Sequence, residues 1–451
     1  MHTRTNALSR IRFALRLPTT ATAPFCPSEV RGSVAVAASA PLRTRLAAFV
    51  GPGLLVAVGY MDPGNWATDI EAGARFGYDL LFIVALTCLA AMLLQTLALR
   101  LGIASGRDLA QVCRDRYGPR TRILLWLMAE GAIIATDIAE VLGSALAIKL
   151  LFGLPMQIGI LLTGLDMLLV LGLKGRGFRQ VEAIILGLVA TIGLCFFAEL
   201  VLAPPDTSLL AAGLVPEVNR LEQPGALLLA IGILGATVMP HNLYLHSSIV
   251  QTRRIGNGDA GKRAAIRLTT LDMVGSLLLA TVINGAILVL AASAFHASGN
   301  ANVADIADAH ELLTPITGAA AAGVLFAVAL FTSGQSSTFT GTIAGQIVLE
   351  GFLDIKIPCW QRRLVTRVIA ILPALGGIWL LGEDSVGKLL VLTQVALSLQ
   401  LPFALWPLIR STSDARIMGP FASGRGVAAV AWLLFAVISA ANLWLVIEAF
   451  A

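Results

Sequence analysis

Charge is scarce in this chain of 451 residues: Asp, Glu, Lys and Arg together make up 13%, roughly half the share of a soluble globular domain. That scarcity excludes a soluble enzyme. A net charge of +5, spread in blocks, gives no footprint for a nucleic-acid partner. Cysteine is scarce too: Cys26, Cys88, Cys113, Cys195 and Cys359 are odd in number and lack CxxC spacing, so neither a disulfide framework nor a zinc cluster follows. No HExxH, GxSxG or Walker motif stands in its required context. What the chain has in plenty is apolar surface. Such residues make up 57%, grouped in runs of roughly 20, the length that crosses a bilayer as a helix. The 43 Gly and 19 Pro fit the same class. The sequence is that of an all-α integral membrane protein.

Residues 1–44 are Arg-rich with Glu29 as the only acid, and they read as a disordered basic tail on the cytoplasmic side. An organellar transit peptide shares that composition and is the second reading of the segment. Beyond it the apolar runs predict eleven helices, near 45–72, 78–103, 121–150, 154–173, 180–202, 223–251, 268–294, 318–348, 364–381, 386–409 and 427–449. With the N-terminus inside, nearly every Lys and Arg between spans falls on the inner face. Only Arg75, Arg220 and Lys388 remain outside. The positive-inside tendency thus places the C-terminus outside, in a multi-pass plasma (inner) membrane protein. The outer connections carry acids such as Asp206, Glu217, Asp308 and Asp384, a consequence of the same sorting or a means of concentrating cations.

Two spans are interrupted. The first contains Asp62-Pro63-Gly64-Asn65 and the sixth Gly235-Ala236-Thr237-Val238-Met239-Pro240-His241-Asn242. Proline removes a backbone donor and glycine admits unusual dihedrals, so a continuous helix is not expected at either place. If spans 1–5 (45–202) and 6–10 (223–409) are two repeats, with 427–449 as an extra helix, the breaks occupy corresponding positions, the pattern of a midplane transport site. Unwound backbone there frees carbonyl oxygens. The Asp62 carboxylate and the Asn65 amide oxygen suit hard or borderline divalent ions, whereas the Met239 thioether favours softer transition metals over Mg²⁺ or Ca²⁺. A methionine in a membrane helix usually only packs and a proline usually only kinks; the acid at membrane depth and the matched breaks turn these residues into a candidate site.

The third span carries Glu130, Asp137 and Glu140. At about 100° per residue, Asp137 falls about 20° from Glu130 and Glu140 about 60° further round, so the three acids share a stripe. His241 beside the second break adds a group that ordinarily titrates near neutral pH. Arg363 and Arg367, at the start of the ninth span, are placed to pair with the stripe. A buried ion-pair network that only packs helices is the competing reading. His241 and His246 are about 140° apart on their helix and make no i,i+4 metal pair. Asp166, Glu182, Glu199 and Asp272 lie in or near spans, and most of them read as paired or interfacial.

The two motifs, the flank Asn242-Leu243-Tyr244-Leu245-His246-Ser247 and the eleven spans resemble the natural-resistance-associated macrophage protein (Nramp) family over residues 45–449. The resemblance implies the leucine-transporter fold, two inverted five-helix repeats with helices 1 and 6 broken, and proton-coupled import of Mn²⁺ or Fe²⁺, with Cd²⁺ and Co²⁺ as further cargo. It implies a metal held by Asp62, Asn65, Met239 and the Ala236 carbonyl, joined by the Gly59 carbonyl in some states and by Gln394 in span 10. It also implies a proton pathway through Asp62, Glu130, Asp137, Glu140, His241, Arg363 and Arg367. No resident cofactor is called for, the metal being cargo and the proton the coupling ion. The chain departs from the pattern in its longer basic tail and in Trp66, where many relatives have Phe. A same-fold sodium-coupled amino-acid or organic-cation transporter is the alternative, although Asp62 would repel a substrate carboxylate. An intramembrane enzyme using Asp62 and His241 lacks a nucleophile with an oriented base.

Overall fold

Proline opens four of the helices that build the centre of the molecule, at a position where its missing N–H leaves no bond unmade. The computed structural model describes residues 30–36, 41–165, 178–256, 258–300, 306–319, 321–355 and 357–450. The expectations for residues 1–29, and for Asp166, Lys174, Arg176, Asp305 and Lys356, lie outside them. In chain order the helices are α1 (Leu42–Phe49), α2 (Pro52–Gly59), α3 (Pro63–Phe76), α4 (Leu81–Ser105), α5 (Leu109–Arg116), α6 (Pro119–Phe152), α7 (Met156–Thr163), α8 (Phe178–Leu202), α9 (Thr207–Gly213), α10 (Ala226–Thr237), α11 (Pro240–Ile249), α12 (Gly258–Ala291), α13 (Ile306–Thr317), α14 (Ala321–Leu353), α15 (Cys359–Leu381), α16 (Val386–Thr412) and α17 (Arg425–Phe450). Among the described residues nine helices are long and apolar enough to cross a membrane. The first expected span is absent from that set because it is split into α2 and α3; the fourth runs from α7 into residues that are not described. Trp379 is 84% exposed and Phe152 70%, an outward apolar display of the kind a lipid surround makes favourable.

The expected disorder over 1–44 is corrected at the end nearest the helices. Val34–Ala35 (β1) pairs in parallel with Arg253–Arg254 (β2), the Gly32 N–H donates to the Gln251 carbonyl at 2.9 Å, and α1 already begins at Leu42. Backbone left unpaired after α11 recruits the segment, and burial of Val30 and Val34 holds it there. The short helices α9 and α13 also went unforeseen, although α13 buries Ile306, Ala309 and Leu313 at a helical spacing.

The junction of α1 and α2 is clasped from three sides. Asp272 of α12 accepts hydrogen bonds from the amides of Gly51 (3.2 Å) and Gly53 (2.7 Å), satisfying donors that open α2. Arg253 pairs with Glu182 of α8 at 2.7 Å and donates to the carbonyls of Ala48 and Val50. Arg179 meets the other Glu182 oxygen at 2.9 Å and donates to the Ala47 carbonyl. Arg253 is thus a buried tie. Glu182 and Asp272 are paired as expected. Glu199 is not: it is fully buried, and neither carboxylate oxygen has a hydrogen-bond partner among the described residues.

On the same basic face, a cavity of about 270 Å³ is lined by Arg31, Asp108, Gln111, Glu350 and Asp354, among others. Asp108 caps α5 in a reciprocal box with Gln111. Burial pushes its carboxyl up to about 7, against the lowering effect of the cap hydrogen bonds. The folded state therefore binds this proton more tightly than the unfolded chain, and stability falls as pH rises from the unfolded carboxylate range towards 7. Asp108→Asn keeps the cap acceptor and removes the titration. Thermal melting in detergent between pH 5 and 8 should show a flatter pH dependence than the wild type; an unchanged profile would contradict this origin.

Candidate metal centre

The two breaks meet at one side chain. Asp62 is the N-cap of α3, its Oδ1 accepting from the Asn65 backbone amide at 2.9 Å. The Asn65 side-chain nitrogen then donates to three oxygens: Asp62 Oδ1 at 2.6 Å, the Ala236 carbonyl at 3.1 Å and the Gly59 carbonyl at 3.4 Å. Gly59 ends α2 and Ala236 lies in the last turn of α10, so both carbonyls belong to helix ends that have no further turn to bond. A carboxylate and two carbonyls from both broken spans thus converge on one electropositive N–H₂ group.

The Tyr60 and Met61 carbonyls of the first break are also engaged. Asn284 of α12 donates to the Tyr60 carbonyl at 2.6 Å and to Asn65 Oδ1 at 3.4 Å. The Met61 carbonyl accepts from Ser333 and, at 3.3 Å, from the Trp66 indole. Trp66 in place of Phe therefore supplies a donor that a phenyl ring lacks, while its ring packs on Phe196 and Phe326. Asp62 Oδ2, Asn284 Oδ1 and Gln394 Oε1 have no hydrogen-bond partner among the described residues. Three buried acceptors beside the break are a costly arrangement unless a cation or mobile donor serves them.

Gln394 of α16 lies between the breaks. A Cβ on Gly64 would come within 1.7 Å of its side-chain nitrogen, and one on Gly235 within 2.2 Å of its carbonyl oxygen. Both glycines are thus required by close approach. Met239 is fully buried at the start of α11, packed with Ala132, Ala135 and Leu397, outside the group that Asn65 ties together. Among the described residues no group of three or more His, Cys, Asp or Glu is placed to hold a metal. The donor set at the breaks is accordingly one carboxylate with neutral oxygens and a nearby sulphur, the mixture that suits Mn²⁺, Fe²⁺ and neighbouring ions.

Behind this cluster α6 presents its acids to α15. Arg363 pairs with Asp137 at 2.6 Å and reaches Glu140 at 3.4 Å. Arg367 lies 4.0 Å from Glu140 and donates to Thr338 at 3.0 Å, and Thr338 in turn donates to Glu140 at 3.2 Å. All four charged side chains are buried. The sequence reading missed Arg362. It takes Glu130, at 2.6 Å, and reaches it past Gly345, where a Cβ would stand 1.7 Å from the guanidinium. Only the triplet of basic residues Arg362, Arg363 and Arg367 facing three acids hinted at it. His241 lies on the same side, its Nδ1 3.4 Å from the Thr136 hydroxyl. His246 points elsewhere, to Gln95 at 2.9 Å, which continues to the Tyr60 hydroxyl at 3.1 Å.

A family model described as "Natural resistance-associated macrophage protein-like" matches residues 53–448. The chain is 62% identical over 430 residues to the divalent metal cation transporter MntH of Ralstonia nicotianae, covering 95% of this chain and 97% of the relative. It is 63% identical over 429 residues to divalent metal cation transporter MntH 1 of Pseudomonas aeruginosa, covering 95% and 98%. The crystal structure of a manganese transporter from Eremococcus coleocola superposes with a TM-score of 0.87 at 38% identity, covering 93% of this chain and 90% of that one. MhsT, crystallised with L-phenylalanine, shares the fold at a TM-score of 0.61 and 15% identity, covering 87% and 98%. The architecture is the leucine-transporter fold.

Proposed function

The chain belongs to the Nramp family of divalent metal cation transporters, and from that membership we propose that it imports Mn²⁺ and Fe²⁺, with Cd²⁺ and Co²⁺ as further cargo, by proton-coupled alternating access across the inner membrane. The face bearing the clasp and the basic residues is cytoplasmic, and the C-terminus lies outside. The observation that carries the reading is the convergence of Asp62 Oδ1 and the Ala236 and Gly59 carbonyls on the two-proton amide group of Asn65. Those three oxygens are the ones a dehydrated dication would draw on, and the amide N–H₂ occupies their focus.

Cargo entry then requires the Asn65 amide to turn over. Its oxygen swings to the ion while its nitrogen meets Asn284, whose own Oδ1 lacks a partner among the described residues. Asp62 Oδ2 and the Gln394 oxygen supply further lone pairs, and Met239 leaves its packing against Ala132 and Ala135 to add sulphur. Any proton displaced from Asp62 passes to the acids of α6, the pair Asp137 and Glu140 held by Arg363 and Arg367, with Glu130 and Arg362 towards the cytoplasm and His241 at the flank. Release inward follows when α2 parts from Asp272, Arg253 and Glu182. An inside-negative potential of about 100 mV draws each elementary charge inward with about 2.3 kcal/mol, so a dication gains roughly twice that without nucleotide hydrolysis.

Purified protein in liposomes loaded with a metal-sensitive dye and a pH dye tests the proposal across a panel of divalent ions. Mn²⁺-evoked acidification is expected. Metal entry with no proton movement would leave a uniporter, and competition by amino acids would favour the sodium-coupled alternative. Met239→Ala should lower discrimination against Ca²⁺ and Mg²⁺ by about tenfold, roughly 1.4 kcal/mol, while Mn²⁺ uptake falls less. Unaltered selectivity in that variant would remove sulphur from the ligand set.

A further inference from the structure

Helix α4 ends at Gly106, and its last carbonyls are met by cations: Lys262 of α12 donates to Ala104 at 2.6 Å, and Arg31 donates to Gly106. Positive charge is favourable at that end of a helix. Arg31 belongs to residues 30–36, a strap laid over the basic face. The strap turns at Gly32, whose φ of +65° suits glycine, and then follows the chain that leaves α11. The Gly32 amide donates to the Gln251 carbonyl at 2.9 Å, Arg254 donates back to the Gly32 carbonyl at 3.4 Å, and Val34 and Ala35 pair in parallel with Arg253 and Arg254. Val30 and Val34 are buried, so apolar packing adds to the hydrogen bonds.

The strap's strand partner is the clasp residue itself. The backbone of Arg253 pairs with Val34, while its side chain holds Glu182 and the Ala48 and Val50 carbonyls at the junction of α1 and α2. Val30 and Arg31 also line the cavity of about 270 Å³, together with Ser248 and Ile249 at the end of α11 and Ile343 and Ile347 of α14. Both helices lead to the centre. Ten residues of α11 separate Ile249 from Met239, roughly 15 Å at the rise of a helix, and α14 carries Ser333, which donates to the Met61 carbonyl. We propose that residues 30–36 are an inner latch: paired with β2, they keep Arg253 in the clasp and cover the inner mouth between α11 and α14, and they must peel from β2 before α2 can part from Glu182 and Asp272. A ladder of two residues is a weak sheet, which suits a part that opens and re-forms in each cycle. What the latch gates rests on the transport reading; that it holds α2 does not.

Ala35 and Arg254 are exposed and directly paired, and neighbouring strands lie about 4.8 Å apart, within the span a disulfide bridges. The full-length chain with Cys26→Ser, Ala35→Cys and Arg254→Cys is oxidised and placed in liposomes. Mn²⁺ uptake should be at least tenfold slower than in the same protein after reduction. Failure of the pair to cross-link, equal uptake in both states, or an equal response to oxidant in the variant lacking Arg254→Cys overturns the latch. A second variant needs no transport. Gly32→Pro removes the amide that donates to Gln251 and forbids the positive φ, so amide hydrogen exchange in α2 should quicken at least fivefold in detergent while α17 keeps its native rate. Native exchange in α2 overturns the latch, and so does an equal quickening in α17, which would report general loosening. Faster exchange confined to α2 in a chain that moves no metal sinks the transport reading alone, whereas Mn²⁺ uptake indifferent to the cross-link sinks the latch alone.

Discussion

Asp62→Asn should abolish Mn²⁺ uptake in liposomes, lowering it more than 100-fold, without unfolding the protein. The substitution keeps an oxygen where Asp62 Oδ1 accepts from the Asn65 amide at 2.9 Å, and Asn caps a helix as well as Asp does. Only the charge is lost. A carboxylate about 3 Å from a dication contributes roughly 10 kcal/mol of attraction at an effective dielectric constant near 20, most of it offset by stripping water from both groups. A net loss of at least about 3 kcal/mol remains, which is more than 100-fold in occupancy. The far-ultraviolet circular dichroism of the variant should match the wild type. Uptake within tenfold of normal would mean that the backbone carbonyls alone hold the ion, and the assignment of Asp62 as the anionic ligand would fail.

Arg363→Met should destabilise the protein most among changes distant from the breaks. The guanidinium sits 2.6 Å from Asp137 with both side chains about 1% exposed, and removing one partner of such a pair costs roughly 3–5 kcal/mol because the other charge stays buried. A fall in Tm of about 5 °C or more in detergent is the expected size for a chain of this length. Asp137→Asn combined with Arg363→Met removes both charges and should recover most of the Tm. The double variant separates two roles for the network. If Asp137 carries protons, stability returns but metal-evoked proton flux does not. Recovery of both would reduce the network to helix packing and remove Asp137 from the route.

What the sequence disclosed was whatever repeats at a fixed local spacing or interrupts it. The breaks at Asp62-Pro63-Gly64-Asn65 and Met239-Pro240 are local events, each stopping one helix and opening another. The acid stripe of α6 follows from helical geometry alone. Pairings between distant elements left no such trace. Arg362 with Glu130, Asn284 with the Tyr60 carbonyl, and Arg253 with Glu182 join residues far apart in the chain, and each basic or amide side chain could equally have faced water or lipid headgroups. Arg253 counted towards the basic inner face, where it belongs by topology, but nothing local marked it as buried. The same holds for Val34, whose strand partner lies more than 200 residues away. Glu199 differs in kind: it is buried without a hydrogen-bond partner among the described residues, and nothing in the structure explains it.

The Asn65 amide has a meaning for the return stroke. Because its N–H₂ group donates to Asp62 Oδ1 and to the Ala236 and Gly59 carbonyls, the carrier that has just discharged keeps three of its central oxygens served without an ion, and only Asp62 Oδ2 and the Asn284 and Gln394 oxygens remain open. The side-chain amide of Asn65 thereby lowers the cost of the ion-free state, the state that an empty return would pass through.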